Sequence, residues 1–256
     1  MIGAGIDAGS RSVKVVILDG ASGTILAKGI ADQGVRQKEL AAELFESALA
    51  QSGLERAALH RVVATGYARN IVPCADSTIT EISCHARGVH HLVPEARTII
   101  EIGGQDSKML WLEADGRVRH FTMNDRCAAG TGRFLEVVAA RLDIPVASLG
   151  DCALRCVDPA AISSMCVVFA ETEIIGLLAS GAAIEDIIAG VQNSIAARIA
   201  SMAGRRAVSP VFFTGGVALV SGMSEALGRA LGQPVQTVPD PQMTGALGAA
   251  LFACEE

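Results

Sequence analysis

The chain has 256 residues, half of them hydrophobic, 19% charged and 4% aromatic, with a formal net charge of −6. Such a composition excludes a disordered polymer and describes a compact aliphatic protein with room for one large α/β domain or two lobes. With no run of Lys or Arg to grip a phosphate polymer and few rings to stack on bases, nucleic acid is excluded as an expected partner.

In chain order, "GIDAGS", "VKVVILDG" and "TILAKGIA" are β-rich runs broken at Gly9-Ser10 and at Gly20 to Gly23, a strand-turn-strand opening. Gln37 to Gln51 sets Leu40, Leu44, Ala48 and Leu49 near helical spacing, and Arg61 to Gly66 returns to a short apolar strand. A second unit of the same kind starts near Arg97, where "TIIEIGGQDSKMLWLEADGRVRHFTM" reads strand, tight turn, strand, Asp115-Gly116 turn, strand. The two starts superpose: Asp7, Gly9 and Lys14 recur as Glu101, Gly103 and Lys108, an internal repeat about ninety residues apart. Two lobes are therefore expected, 1–94 and 95–256, with a C-terminal helix at about 243–254 available to pack back on the first. Strands alternating with helices place the chain in the α/β class.

Further helices are expected from about Thr131 to Leu142, from Val167 to Ala179 and from Ile184 to Gly204. The last carries Ile187, Ile188, Val191, Ile195, Ile199 and Met202 along one face, the stripe of a core helix. "PVFFTGGVAL" is a buried strand entering a Gly-Gly turn, and "TGALGAALFA" is a small-residue helix suited to close packing. The apolar run near Ile174 meets Glu185 and Asp186 too soon to span a bilayer, and "MIGAGIDAGSR" lacks a secretory pattern, so no membrane is expected and the location is read as cytoplasmic. Seven cysteines without an export signal then point to reduced thiols or metal ligands rather than a disulfide framework.

Each repeat start ends an apolar strand in an acid and then bends through glycine, so that backbone N–H groups can face a phosphate with no Cβ in the way. A carboxylate beside polyphosphate is repelled unless a hard cation lies between them, and Mg2+ with its retained waters suits that gap. Two such turns can clamp β- and γ-phosphates, with Thr214-Gly215-Gly216 as a third turn against the nucleoside. Neither a GxxxxGK[ST] loop nor GxGxxG is present, which removes the P-loop and dinucleotide-binding signatures.

Taken together, these features resemble the superfold of actin, sugar kinases and heat-shock ATPases: a duplicated two-lobe ATPase fold with mixed sheets flanked by helices. More narrowly, "GIDAGS", "ATGYARN", "EISCHARG", "EIGGQDSK", "NDRCAAGTGRF", "AISSMCVVFAETE", "FFTGGVA" and "GALGAALFA", from Ile6 to Phe252, resemble the ATP-dependent activators of 2-hydroxyacyl-CoA dehydratases. The wider family also holds ATPase subunits of benzoyl-CoA reductase. Arg11 departs from the pattern, which has a small residue there.

The resemblance implies an ATPase coupled to electron transfer. Asp7 and Glu101 would hold Mg2+ through water, and Gln105 or Asp106 would orient the attacking water. Gly9, Ser10, Arg11, Ser12, Val13, Lys14, Gly103, Gly104 and Gln105 would contact the phosphates of ATP or ADP. Gly130, Thr131, Gly132, Glu171, Thr214, Gly215, Gly216 and Gln242 would complete the nucleotide site. It further implies one 4Fe-4S cluster per homodimer, bridging the two copies, with Cys127 and Cys166 of each as its ligands. Both cysteines are expected at helix starts, where partial positive charge favours a thiolate. Glu171 and Glu173 either link nucleotide state to the Cys166 helix or face water. A ferredoxin or flavodoxin would be the donor, and a 2-hydroxyacyl-CoA dehydratase or related acyl-CoA reductase the acceptor. A small-molecule kinase of the same fold and a redox-sensing module are the rival readings. Cys152 and Cys156, four apart, lack the second pair that a zinc site needs.

Overall fold

The computed structural model describes residues 1–163, 166–203 and 207–255. The chain forms two compact units: Met1–Ala96 with Leu112–Arg119 and the segment from Gln242 make one, and Arg97–Trp111 with His120–Pro241 make the other.

In the first unit, β1 (Ile2–Ala8), β2 (Ser12–Asp19), β3 (Thr24–Asp32), β4 (Arg61–Thr65) and the short β5 (Ser77–Thr78) form one sheet in the order β3-β2-β1-β4-β5. β1 runs antiparallel to β2 and parallel to β4. Alternate residues feed opposite faces, as the two-residue period of a strand requires. Ala4, Ile6, Val13, Val15, Ile17, Val62 and Ala64 pack with Ala41, Phe45, Ala48 and Leu49 of α1 (Gln37–Ser52). Val16, Leu18 and Val63 pack on the other face against α8 (Thr244–Ala253), with α2 (Glu81–Leu92) behind it. α8 lies so close to α2 that a Cβ on Gly248 would fall 1.8 Å from the Cys84 carbonyl oxygen. The small-residue composition of α8 is what permits that crossing.

In the second unit, β6 (Thr98–Ile102), β7 (Ser107–Leu112), β8 (Val118–Asn124), β9 (Val211–Thr214) and β10 (Val235–Thr237) form a sheet in the order β10-β9-β6-β7-β8. Read from the other edge, this is the order of the first sheet with β6 to β10 in place of β1 to β5. Its pairings repeat too: β6 is antiparallel to β7 and parallel to β9. The duplication inferred from the acid, glycine and lysine spacing thus extends over five strands.

The core of this unit joins Ile100, Ile102, Met109, Val211 and Phe213 to α3 (Gly132–Leu142), α4 (Val146–Ala153), α5 (Val167–Ala179), α6 (Ile184–Met202) and α7 (Met223–Leu231). The expected stripe of α6 is fully buried from Ile187 to Ile199, with Met202 partly covered. Its expected end at Gly204 lies outside the described residues. Among the described residues no helix is long and apolar enough to cross a membrane.

Candidate functional site

The two repeat starts have the same construction. Asp7 pairs in register with Lys14 across β1 and β2, and Glu101 pairs with Lys108 across β6 and β7. Both acids are buried, 5% and 4% exposed, which a carboxylate tolerates when a cation lies beside it. Lys14 Nζ stands 3.6 Å from Asp7 Oδ2, whereas Lys108 Nζ lies 2.9 Å from Glu101 Oε2 and 2.9 Å from Asp106 Oδ2. The turns between the strands close with one hydrogen bond each, from Gly9 N–H to the Ser12 carbonyl (3.2 Å) and from Gly103 N–H to the Asp106 carbonyl (3.0 Å). Gln105 is exposed on the second turn. Val13 sends its side chain into the core, so its main chain is what it can offer a phosphate. Arg11 is exposed and leans 3.6 Å from Asp32 Oδ1.

A second glycine stands over each acid. β4 ends at Thr65 and Gly66, β9 at Thr214 and Gly215, and both glycines have φ of +90°. A Cβ on Gly66 would lie 2.4 Å from Asp7 Oδ1, and one on Gly215 would lie 2.7 Å from Glu101 Oε1. Each carboxylate therefore faces a recess walled by glycine. Thr214 Oγ1 and Gly215 N–H both donate to the Pro241 carbonyl, at 2.7 and 2.9 Å, fixing the third turn just before Gln242. Sequence reasoning singled out Gly215 but missed Gly66. The signal was available, because "ATG" repeats the Thr-Gly of "FTG" at a strand end.

The segment 130–132 backs the second turn. Thr131 caps α3, accepting from Arg133 N–H, and Gly132 N–H and Arg133 N–H donate to the Gly103 and Gly104 carbonyls at 2.9 and 2.8 Å. Gly130 is buried beside Asn124 and Ser107. Glu171 lies on α5, where Arg141 donates to its carboxylate through two nitrogens, Nε at 3.0 Å.

Cys166 is exposed at the N-cap of α5, as expected. Cys127 is not at an α-helix start: it is extended (φ −128°, ψ 116°) before a single 3-10 turn, Ala128–Gly130, and the helix begins only at Gly132. The reason is local. Asn124 clasps both main-chain groups of Cys127, accepting from its N–H at 3.2 Å and donating to its carbonyl at 2.8 Å. Among the described residues, no three His, Cys, Asp or Glu side chains gather as a metal site within one chain.

Residues 4–253 match the family described as BadF/BadG/BcrA/BcrD ATPases. The chain belongs to this ATPase family. It is 44% identical to a 2-hydroxyisocaproyl-CoA dehydratase activator of Clostridioides difficile, over 98% of this chain and 94% of the relative. It is 45% identical to an activator of lactoyl-CoA dehydratase of Anaerotignum propionicum, over 98% and 96%. One of the subunits of the benzoyl-CoA reductase of Thauera aromatica is 32% identical, over 98% and 92%. A solved activator of the 2-hydroxyisocaproyl-CoA dehydratase from Clostridium difficile, with bound ADPNP, superposes with a TM-score of 0.93 at 44% identity, covering 99% of this chain and 94% of that one. A hexokinase of Thermus thermophilus, 18% identical with a TM-score of 0.53 over 98% and 97%, shares the sugar-kinase fold alone.

One buried group in this BadF/BadG/BcrA/BcrD ATPase was not anticipated as part of the site. His85 of α2 is 6% exposed, bonds through Nδ1 to Thr244 Oγ1 at 2.9 Å, and lines the Asp7 recess at the start of α8. Next to it, burial pushes the Cys84 thiol up to about 12, with the Thr65 hydroxyl pulling the other way. Burial thus makes Cys84 a poor nucleophile.

Proposed function

We propose that the chain hydrolyses ATP in the cytoplasm and, as a homodimer, activates a 2-hydroxyacyl-CoA dehydratase by passing it one electron at low potential. The observation that carries this reading is the pair of lysine-tethered acids, Asp7 and Glu101, each closing a central strand beneath a glycine-walled recess. A bound Mg2+ would neutralise charge on the phosphate oxygens as the terminal phosphoryl group leaves. The acids fit it: carboxylate oxygens are the donors Mg2+ takes, and glycine at 66 and 215 leaves each carboxylate without a side chain pressed on it, where a Cβ would lie 2.4 or 2.7 Å away.

Asp7 and Glu101 hold the water shell, while main-chain groups of 9–14 and 103–106 receive the phosphates. Gly215 and Gly216 approach the nucleoside, with Gly130, Thr131, Gly132, Glu171 and Gln242 around it. Gln105, exposed on its turn, orients the attacking water better than Asp106, whose carboxylate Lys108 already engages.

Four thiolates hold a 4Fe-4S cluster, and Cys127 and Cys166 from two copies supply four. When bound, such a cluster accepts and releases one electron at a time. The donor set fits, since Cys166 is exposed and Cys127 half-buried. Beside Cys166 the outer face of α5 carries Val168, Phe169 and Ile175, exposed by 69%, 68% and 44%, apolar side chains that a second copy would cover. A ferredoxin or flavodoxin is the proposed donor. The likeness to a benzoyl-CoA reductase subunit favours a second reading, an ATPase component of a larger acyl-CoA reductase, which co-purification of other subunits would reveal.

Anaerobic purification with iron and sulfide analysis tests the proposal. About two iron atoms per chain are expected, lost in Cys127→Ser and Cys166→Ser, with ATP hydrolysis lost in Asp7→Asn and Glu101→Gln. An iron-free monomer, or hydrolysis indifferent to both acids, would overturn it.

A further inference from the structure

α3 is fastened at both ends. Its first two N–H groups are bonded to the carbonyls of Gly103 and Gly104 in the second glycine turn. In its last turn Arg141 holds Glu171, which lies five positions into the helix that Cys166 caps. The whole helix is eleven residues long, about 16 Å of stiff rod at 1.5 Å per residue.

On their inner sides α3 and α5 share the core through Leu135, Val138, Ala170 and Ile174. On the outer side they border an open cleft of about 420 Å3 lined by Arg133, Glu136, Val137, Ala140, Arg141 and Glu171. The ion pair ties the helices together there. α5 is anchored in turn to the chain that enters it, because Glu173 accepts from Ser163 N–H at 2.9 Å and from its hydroxyl at 2.7 Å. A displacement of the 103–106 turn would move α3 through its end bonds, and Arg141 would carry the movement to α5 and the residue at its head.

We infer that Arg141 is a positioning residue linking the second glycine turn to Cys166, so that nucleotide held at that turn changes how open the Cys166 thiol is to solvent. The inference rests on the proposed nucleotide site but not on the presence of a cluster. Its elements are one hydrogen-bonded helix end, one ion pair and one capped helix, all within the second unit.

The test uses the full-length chain, stripped of any iron by a chelator, labelled with iodoacetamide with and without ADPNP and read at Cys166 by peptide mass spectrometry. In the wild type, ADPNP changes the Cys166 labelling rate by about 2- to 30-fold, the range expected for coupling through such contacts. With ADPNP saturating for each protein, Arg141→Gln loses the change, and Arg141→Lys, which keeps a cation for Glu171, retains it. The pair is partly exposed, 42% and 33%, and contributes little to global stability, so the variants stay folded. A wild-type response persisting in Arg141→Gln overturns the link, as does tight ADPNP binding with no Cys166 response in the wild type. Failure of the wild type to bind ADPNP overturns the nucleotide site itself and the link with it.

Discussion

Gly66 is the sharpest test of how the first recess is built. Its φ of +90° is one that L side chains rarely adopt, and a Cβ there would lie 2.4 Å from Asp7 Oδ1 and 2.7 Å from the Ala8 carbonyl carbon and oxygen. Gly53, the left-handed cap of α1, has a φ of +69° with no atom within 4 Å of a Cβ. The two positions share the backbone penalty and differ in the space available. Gly53→Ala should cost about 1–2 kcal/mol, the penalty for a Cβ in the left-handed region. Gly66→Ala carries that and about 1–3 kcal/mol more for forcing atoms into a packed site, roughly 2–5 kcal/mol together. Urea unfolding at constant m-value measures both. Because the clash falls on the Asp7 carboxylate, ATP hydrolysis should fall at least about tenfold in Gly66→Ala, as expected when an acting group is misplaced, and stay at the wild-type rate in Gly53→Ala. Equal destabilisation of the two variants, or full hydrolysis by Gly66→Ala, would refute the recess as described.

Lys108→Met strips the cation from two carboxylates at a site where the lysine is 1% exposed, and roughly 3–5 kcal/mol of stability should be lost, against a smaller loss for Lys14→Met with its single, longer pairing; equal urea midpoints for the two would contradict the burial argument. Cys84 gives a pH prediction. Its folded pKa of about 12 lies above the ordinary 9.0, so the folded chain keeps the proton longer than the unfolded one. Its contribution is full below about pH 9 and is lost as pH rises towards about 12, by about 4 kcal/mol over the whole interval. Urea midpoints measured across that alkaline range should decline more steeply for the wild type than for Cys84→Ala, and parallel curves would sink the assignment.

Where residues close in sequence build a feature, the sequence displayed it. Both hairpins, with acid, glycine and lysine within eight positions, were legible because every partner lies on the same turn or across it. The roof over each acid was not, since Gly66 reaches Asp7 only once β4 has paired in parallel beside β1, Asp7 opposite Thr65. Parallel pairing joins residues with no fixed spacing, so the repeated Thr-Gly marks two matching strand ends without telling which acid each glycine covers. α2 was not read as a helix from the sequence: its buried face is Cys84, His85, Ala86, Gly88 and Val89, small and polar side chains that let α8 approach, in place of the aliphatic stripe that marks α6. Cys127 misled because a glycine-rich run before a helix suggests a cap, while Asn124, three residues upstream, decides the backbone.

The duplication has not left two equal sites. In the second unit Lys108 is locked between Glu101 and Asp106 at 2.9 Å from each, a pairing whose desolvation is offset only while all three members stay in place. In the first unit the residue matching Asp106 is Ser12, so Lys14 has one carboxylate at 3.6 Å and makes its other contact with the Ser12 carbonyl at 3.4 Å. Asp7 is consequently the looser of the two acids and Glu101 the more rigidly held. If the proposed Mg2+ site is formed here, such a division would let one carboxylate fix the geometry while the other exchanges its partner. The asymmetry follows from a single position in the repeat, serine in one hairpin and aspartate in the other.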